Sequence, residues 1–168
     1  EITTRLVGSE MCIRDRLMAL FAFVLCFASC DDDEKVEIPA LPVTAANLNG
    51  TWQLSEWNGQ ALAEGTYCYI TFNRRELTFE MYQKFDSMYA RYITGSFNIE
   101  NDPYLGYVIS GEYDFGNGDW NNDYIVTDLL ESGSMIWTVK DDDSDVNKYV
   151  RCEKVPESII EEAKTNKN

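Results

Sequence analysis

From Leu48 onward the chain alternates apolar and polar residues in short runs rich in Tyr, Trp, Phe, Ile, Val and Thr, broken by Gly, Asn and Asp. A period of two is that of a strand buried on one face and wet on the other. Eight runs fit, at residues 50–57, 67–73, 76–83, 89–100, 105–115, 123–129, 134–140 and 145–154. In the middle strands the alternation defines an inward set. Leu77, Phe79 and Met81 share one face, as do Ile93, Phe97 and Ile99, and then Tyr107, Ile109, Tyr113 and Phe115. Around Tyr67 and Tyr124 both faces are mixed and neither side is assigned.

The connections are short and carry turn chemistry. Asn58-Gly59 is a tight-turn pair, Asn73-Arg74-Arg75 a brief link, Glu100 to Pro103 a turn that proline pre-sets, and Asp141 to Ser144 the last hairpin turn. Short links favour pairing in chain order, hence an all-β antiparallel meander. Closing that meander into an eight-stranded up-and-down barrel removes both sheet edges and suits a monomer. After it, residues 156–164 (PESIIEEAK) read as a short helix with Pro at its first turn and acids near its start; Ile159 and Ile160 are the residues able to dock it.

Upstream the pattern is different. Leu17 to Phe27 is an unbroken apolar run of eleven residues, too short for a membrane-spanning helix and the length of a signal-peptide core. Arg14 and Arg16 precede it and Ala28-Ser29-Cys30 follows it. This arrangement resembles the lipobox of bacterial lipoproteins in the relaxed form of Bacteroidota. The resemblance implies lipidation of the Cys30 thiol and cleavage before it, and so a membrane partner held through a lipid anchor. Residues 1–16, by contrast, resemble translated adapter sequence and are set aside as non-native, leaving 17–29 as the signal peptide. Asp31 to Glu34 are acidic, either an export signal to the outer membrane or a solvated spacer. With the two prolines that follow, residues 30–46 read as a tether. The expected location is the outer membrane, at the cell surface or the periplasmic face.

Charge and composition exclude several functions. Fourteen Lys and Arg stand against 29 Asp and Glu, a net charge of -15, which repels a phosphate backbone; nucleic acid is not an expected partner. The chain has no histidine, so Ser-His-Asp, Cys-His and His-metal schemes are excluded. No cysteines form a CxxC pair, and neither metal nor cofactor is expected. Past Cys30 only Cys68 and Cys152 remain, to be paired or left as two buried thiols.

Asn49-Gly50-Thr51-Trp52 opens the first strand and resembles the G-x-W signature of lipocalins and their calycin relatives. The match extends over residues 47–155, the expected barrel domain, with 156–168 as helix and tail. The resemblance implies that Trp52 closes one barrel end and that a cation on the last strand packs across its ring; Arg151 is its counterpart by position and Lys148 the second choice. It also implies a non-catalytic binding module for a small apolar or amphipathic ligand, lined by Phe79, Phe97, Tyr107, Ile109 and Tyr113. Aromatics in this number either line a cavity or fill it. With a filled core, the same barrel serves as an interaction or inhibitor module in the envelope. The loop from Gly116 to Asp123 is oxygen-rich but lacks the spacing of a calcium loop. Trp120 within it either contacts a ligand or sugar or caps the barrel from inside.

Overall fold

In the computed structural model, residues 39–85 and 88–165 are described. The chain divides into Glu1–Glu37 and Ile38–Asn168. Cys30, the apolar leader and most of the tether lie outside the described residues.

The Asn58-Gly59 pair shows how local chemistry sets the topology. Both residues have positive φ, 51° and 72°, as a two-residue hairpin turn of the primed type requires. The first strand β1 (Gly50–Trp57) therefore folds straight back into the two-residue β2 (Gln60–Ala61), with Trp57 opposite Gln60. The remaining strands are β3 (Tyr67–Asn73), β4 (Thr78–Lys84), β5 (Arg91–Asp102), β6 (Gly106–Tyr113), β7 (Tyr124–Thr127), β8 (Ser134–Val139) and β9 (Asp142–Cys152). Each pairs antiparallel with the next, β1 pairs with β3, and β9 returns to β1 with Trp52 opposite Arg151. An eight-stranded antiparallel barrel is thus closed, with β2 as a ninth, appended strand.

Several strand ends differ from the sequence reading. Leu77 was expected inside, yet it sits in the β3–β4 turn at φ 54° and is 45% exposed. Phe115 likewise leaves the inward set. β6 stops at Tyr113, and Phe115 stands in a single 3-10 turn at φ 65° and is 94% exposed. Val108, read as a wet-face residue, is buried. The last hairpin turns earlier than expected: Val139 pairs with Asp142, so residues 142–144 belong to β9. There Asp142 Oδ1 accepts from the Ser144 N–H and hydroxyl, at 3.0 and 2.6 Å.

Inside, one half of the barrel is solid. Trp52, Ile70, Phe72, Phe79, Ile109, Leu129 and Met135 are fully enclosed, with Phe72 edge-on to Phe97 at 4.9 Å. A helical turn, α1 (Ala45–Leu48), carries the buried Leu48 beneath Trp52, whose indole N–H donates to the Leu48 carbonyl at 2.8 Å. The described chain starts at this end, where the Leu41 N–H bonds the Leu129 carbonyl at 2.7 Å.

After β9 the chain returns along the outside as α2 (Glu157–Thr165). Ile159 and Ile160 are only half-buried, and the enclosed residues are Ala163 and, before the helix, Val155. Polar contacts help to hold it: Glu162 takes Lys84 Nζ at 2.6 Å and the Tyr67 hydroxyl at 3.0 Å.

Candidate ligand-binding cup

The two ends of the barrel are built differently. At the closed end the Arg151 guanidinium lies 4.4 Å from the centroid of the Trp52 ring. Its Nη1 and Nη2 donate to the Asn49 and Asn47 carbonyls, both at 2.7 Å. These carbonyls flank the end of α1, so one side chain ties the last strand, the first strand and the helical turn together. Gly50 permits the approach. Its φ is 111°, and a Cβ there would stand 2.9 Å from Arg151 Nη1. Lys148, the second choice, instead pairs with Glu56 at 2.8 Å.

At the other end a cavity of about 300 Å³ opens inside the barrel. Leu54, Cys68, Met81, Trp137 and Tyr149 belong to its floor, and Tyr113, Trp120 and Tyr124 to its wall. Trp57, Phe85, Gln83, Asn121, Asn122, Asn147 and Asp145 complete the lining toward the mouth, where Trp57 and Asn121 are exposed. An apolar, aromatic interior with a few polar groups at its rim is the make-up of a small-molecule site, and the volume falls at the small end of such sites, roughly 300 to 1,000 Å³.

Trp120 reaches this wall through a device no local pattern reveals. β6 and β7 pair only at Val108–Ile109, and beyond that point the following loop takes the place of the missing strand. The Trp120 N–H bonds the Gly111 carbonyl at 2.7 Å, the Tyr113 N–H bonds Gly118, and Glu112 bridges Asp119. The indole then lies against Gly111, where a Cβ would come 2.2 Å from the ring. Trp120 is 8% exposed, edge-on to Phe79 at 5.1 Å and tilted against Trp137 at 5.8 Å. Its Nε1 is buried without a hydrogen-bond partner among the described residues. Trp120 thus turns inward from its loop and forms part of the wall of the cup.

Of the five residues expected to line a ligand site, only Tyr113 lines the cup. Phe79, Phe97 and Ile109 pack in the solid half, and Tyr107 borders two crevices near the closed end beside Val43. All five sit on the inward face, but four sit at other heights along the barrel. Leu54, Cys68, Met81, Tyr124, Trp137 and Tyr149 take their place at the cup; of these only Met81 belongs to the inward set that alternation defines, and around Cys68 and Tyr124 the pattern assigns neither side.

The buried thiol and phenol on the floor of the cup are held neutral. Burial pushes the Cys68 thiol up to about 12, against a hydrogen bond with Tyr149 that lowers it. Burial also raises the Tyr149 hydroxyl well above 10.0, with Cys68, Tyr124 and Asp145 adding to it. Cys68 and Cys152 are both free: the first is enclosed in the barrel, the second half-buried in β9. In the oxygen-rich loop and elsewhere among the described residues, no three Cys, Asp or Glu side chains group in a way that could hold a metal ion.

A family model for a lipocalin-like domain matches residues 48–137. That is more than half of the chain, and with the closed antiparallel barrel it places the protein in the lipocalin-like domain family. No curated protein and no solved structure matches it. A barrel of this family is a ligand-binding type of fold.

Proposed function

We propose that the protein is a non-catalytic binding module of the bacterial envelope. In this reading Cys30 carries the lipid anchor, the outer membrane is its location, and the barrel, as a monomer, holds a small apolar or amphipathic ligand in the cup. The observation that carries the ligand reading is the cavity of about 300 Å³ with aromatic walls and an amide-bearing rim, at the end opposite the Trp52–Arg151 closure. The anchor reading rests on the sequence alone, on the apolar run and Ala28-Ser29-Cys30. Against catalysis stands the chemistry of the cup: Cys68 is kept a thiol by burial, and the chain has no histidine to activate it.

Native mass spectrometry of the purified protein, looking for a co-purifying small molecule, tests the ligand reading. A retained molecule supports it. An empty protein that also binds no apolar probe contradicts it and favours the second reading, an interaction or inhibitor module.

A further inference from the structure

The cup combines aromatic walls with one charged group of a single sign. Among the described residues, Asp145 is the only carboxylate in its lining, and no Lys or Arg belongs to it. Asp145 Oδ1 accepts from the Trp57 indole N–H at 2.8 Å and from Asn147 Nδ2 at 3.2 Å. The carboxylate is thereby fixed at the rim, and Oδ2 takes no hydrogen bond from the described residues. Lys148 pairs with Glu56 and Lys140 lies 3.8 Å from Asp123, while Arg91 lines an adjoining crevice that shares Gln83, Tyr113 and Asn121 with the cup, its charge offsetting part of the rise that burial gives the Tyr113 hydroxyl.

Aromatic faces carry negative electrostatic potential and attract a cation within about 6 Å, most strongly where water is excluded. Trp137, Tyr124 and Tyr149 cluster with ring centroids 4.8 to 5.2 Å apart along the chain of contacts, so an entering ligand meets several such rings at once. The charge of Asp145 reaches into the same space. Burial is the larger cause that raises the Tyr124 and Tyr149 hydroxyls, and Asp145 adds to both. A carboxylate-bearing ligand would meet that charge with no cation in the lining to offset it. The net charge of -15 further favours a cation at the mouth.

We propose that the cup selects an organic cation, an amine or quaternary ammonium on a flat apolar body, over an anion of the same shape. The ligand lies among Tyr124, Trp137 and Tyr149, with its cationic group held between those ring faces and Asp145 Oδ2. This proposal rests on the reading of the cup as a ligand site and names the class of ligand it takes.

Isothermal titration of the full chain in detergent with three probes on one naphthalene body tests it: 1-naphthylmethylamine, 1-naphthalenemethanol and 1-naphthoate. The amine is expected to bind about tenfold tighter than the alcohol, and the carboxylate weaker than the alcohol. In Asp145→Asn, which keeps an oxygen for the Trp57 N–H, the amine should fall to the affinity of the alcohol while the alcohol is unchanged. Alcohol binding with no advantage for the amine, or with the carboxylate tightest, overturns the charge preference and leaves the cup standing. Equal loss of amine and alcohol in Asp145→Asn also overturns the preference, since the carboxylate would then be structural. Binding of none of the three overturns the cup itself.

Discussion

The Arg151 guanidinium covers the Trp52 ring at 4.4 Å while donating two hydrogen bonds of 2.7 Å to the carbonyls on either side of Leu48. The stack shields the fully buried indole, and the bonds satisfy carbonyls that the one-turn helix leaves open. Gly50 and Gly133 both make room for it. A Cβ at Gly133 would stand 2.9 Å from that of Arg151.

Arg151→Ala is therefore expected to lower stability by about 1 to 2 kcal/mol in urea denaturation. Arg151→Lys keeps the charge but cannot span both carbonyls, and should recover only part of that loss. Unchanged stability in Arg151→Ala would show that the closure contributes nothing.

Gly111→Ala should disturb the cup from its wall. The added Cβ falls 2.2 Å from the Trp120 ring, so the indole must move. A loss of about 2 kcal/mol is expected, with a red shift of tryptophan emission as Trp120 meets water. Trp120→Phe should be milder than Trp120→Ala, since the indole N–H makes no hydrogen bond to the described residues.

The attachment of α2 should depend on pH at both extremes. The hydrogen bonds from Lys84 and Tyr67 hold the Glu162 carboxyl below its ordinary value. Its contribution is present above the usual carboxylate range and is lost as pH falls through the lowered value. With Glu162 36% exposed, solvent screening keeps Glu162→Gln under about 1 kcal/mol. Tyr67 behaves in the opposite sense. Burial first, then Glu162, pushes its hydroxyl up to about 12, so its contribution is complete below 10.0 and is lost as pH rises toward 12. Hydrogen exchange of the α2 amides across both ranges reads the detachment.

Thiol labelling at pH 7 should separate the two cysteines. Burial raises both thiols, but Cys68 is fully enclosed and reaches about 12, whereas Cys152 is half-buried. Alkylation followed by peptide mapping is expected to modify Cys152 first. Faster labelling of Cys68 would mean that the floor of the cup opens readily.

Strand order, barrel closure and the Trp52–Arg151 partnership were legible because each rests on local pattern or on the Gly50-Thr51-Trp52 signature. Strand ends were not. At Leu77 and Phe115 alternation continues in the sequence, but positive φ turns the chain out of the strand. The position of the cup was hidden for a different reason. Alternation tells which way Phe79 or Tyr113 points but not how high along the barrel it sits, because height follows from the stagger between strands. Trp120 depended on a contact nine residues distant, with a glycine whose value lies in having no side chain.

The most direct test of the ligand-binding reading is methyl NMR of the protein during titration with 1-naphthalenemethanol. Leu54 and Met81, in the cup, should shift in proportion to occupancy, while Leu48 and Leu129 at the closed end stay in place. Shifts confined to the closed half, or none at saturating probe, would contradict a ligand site at this end of the barrel.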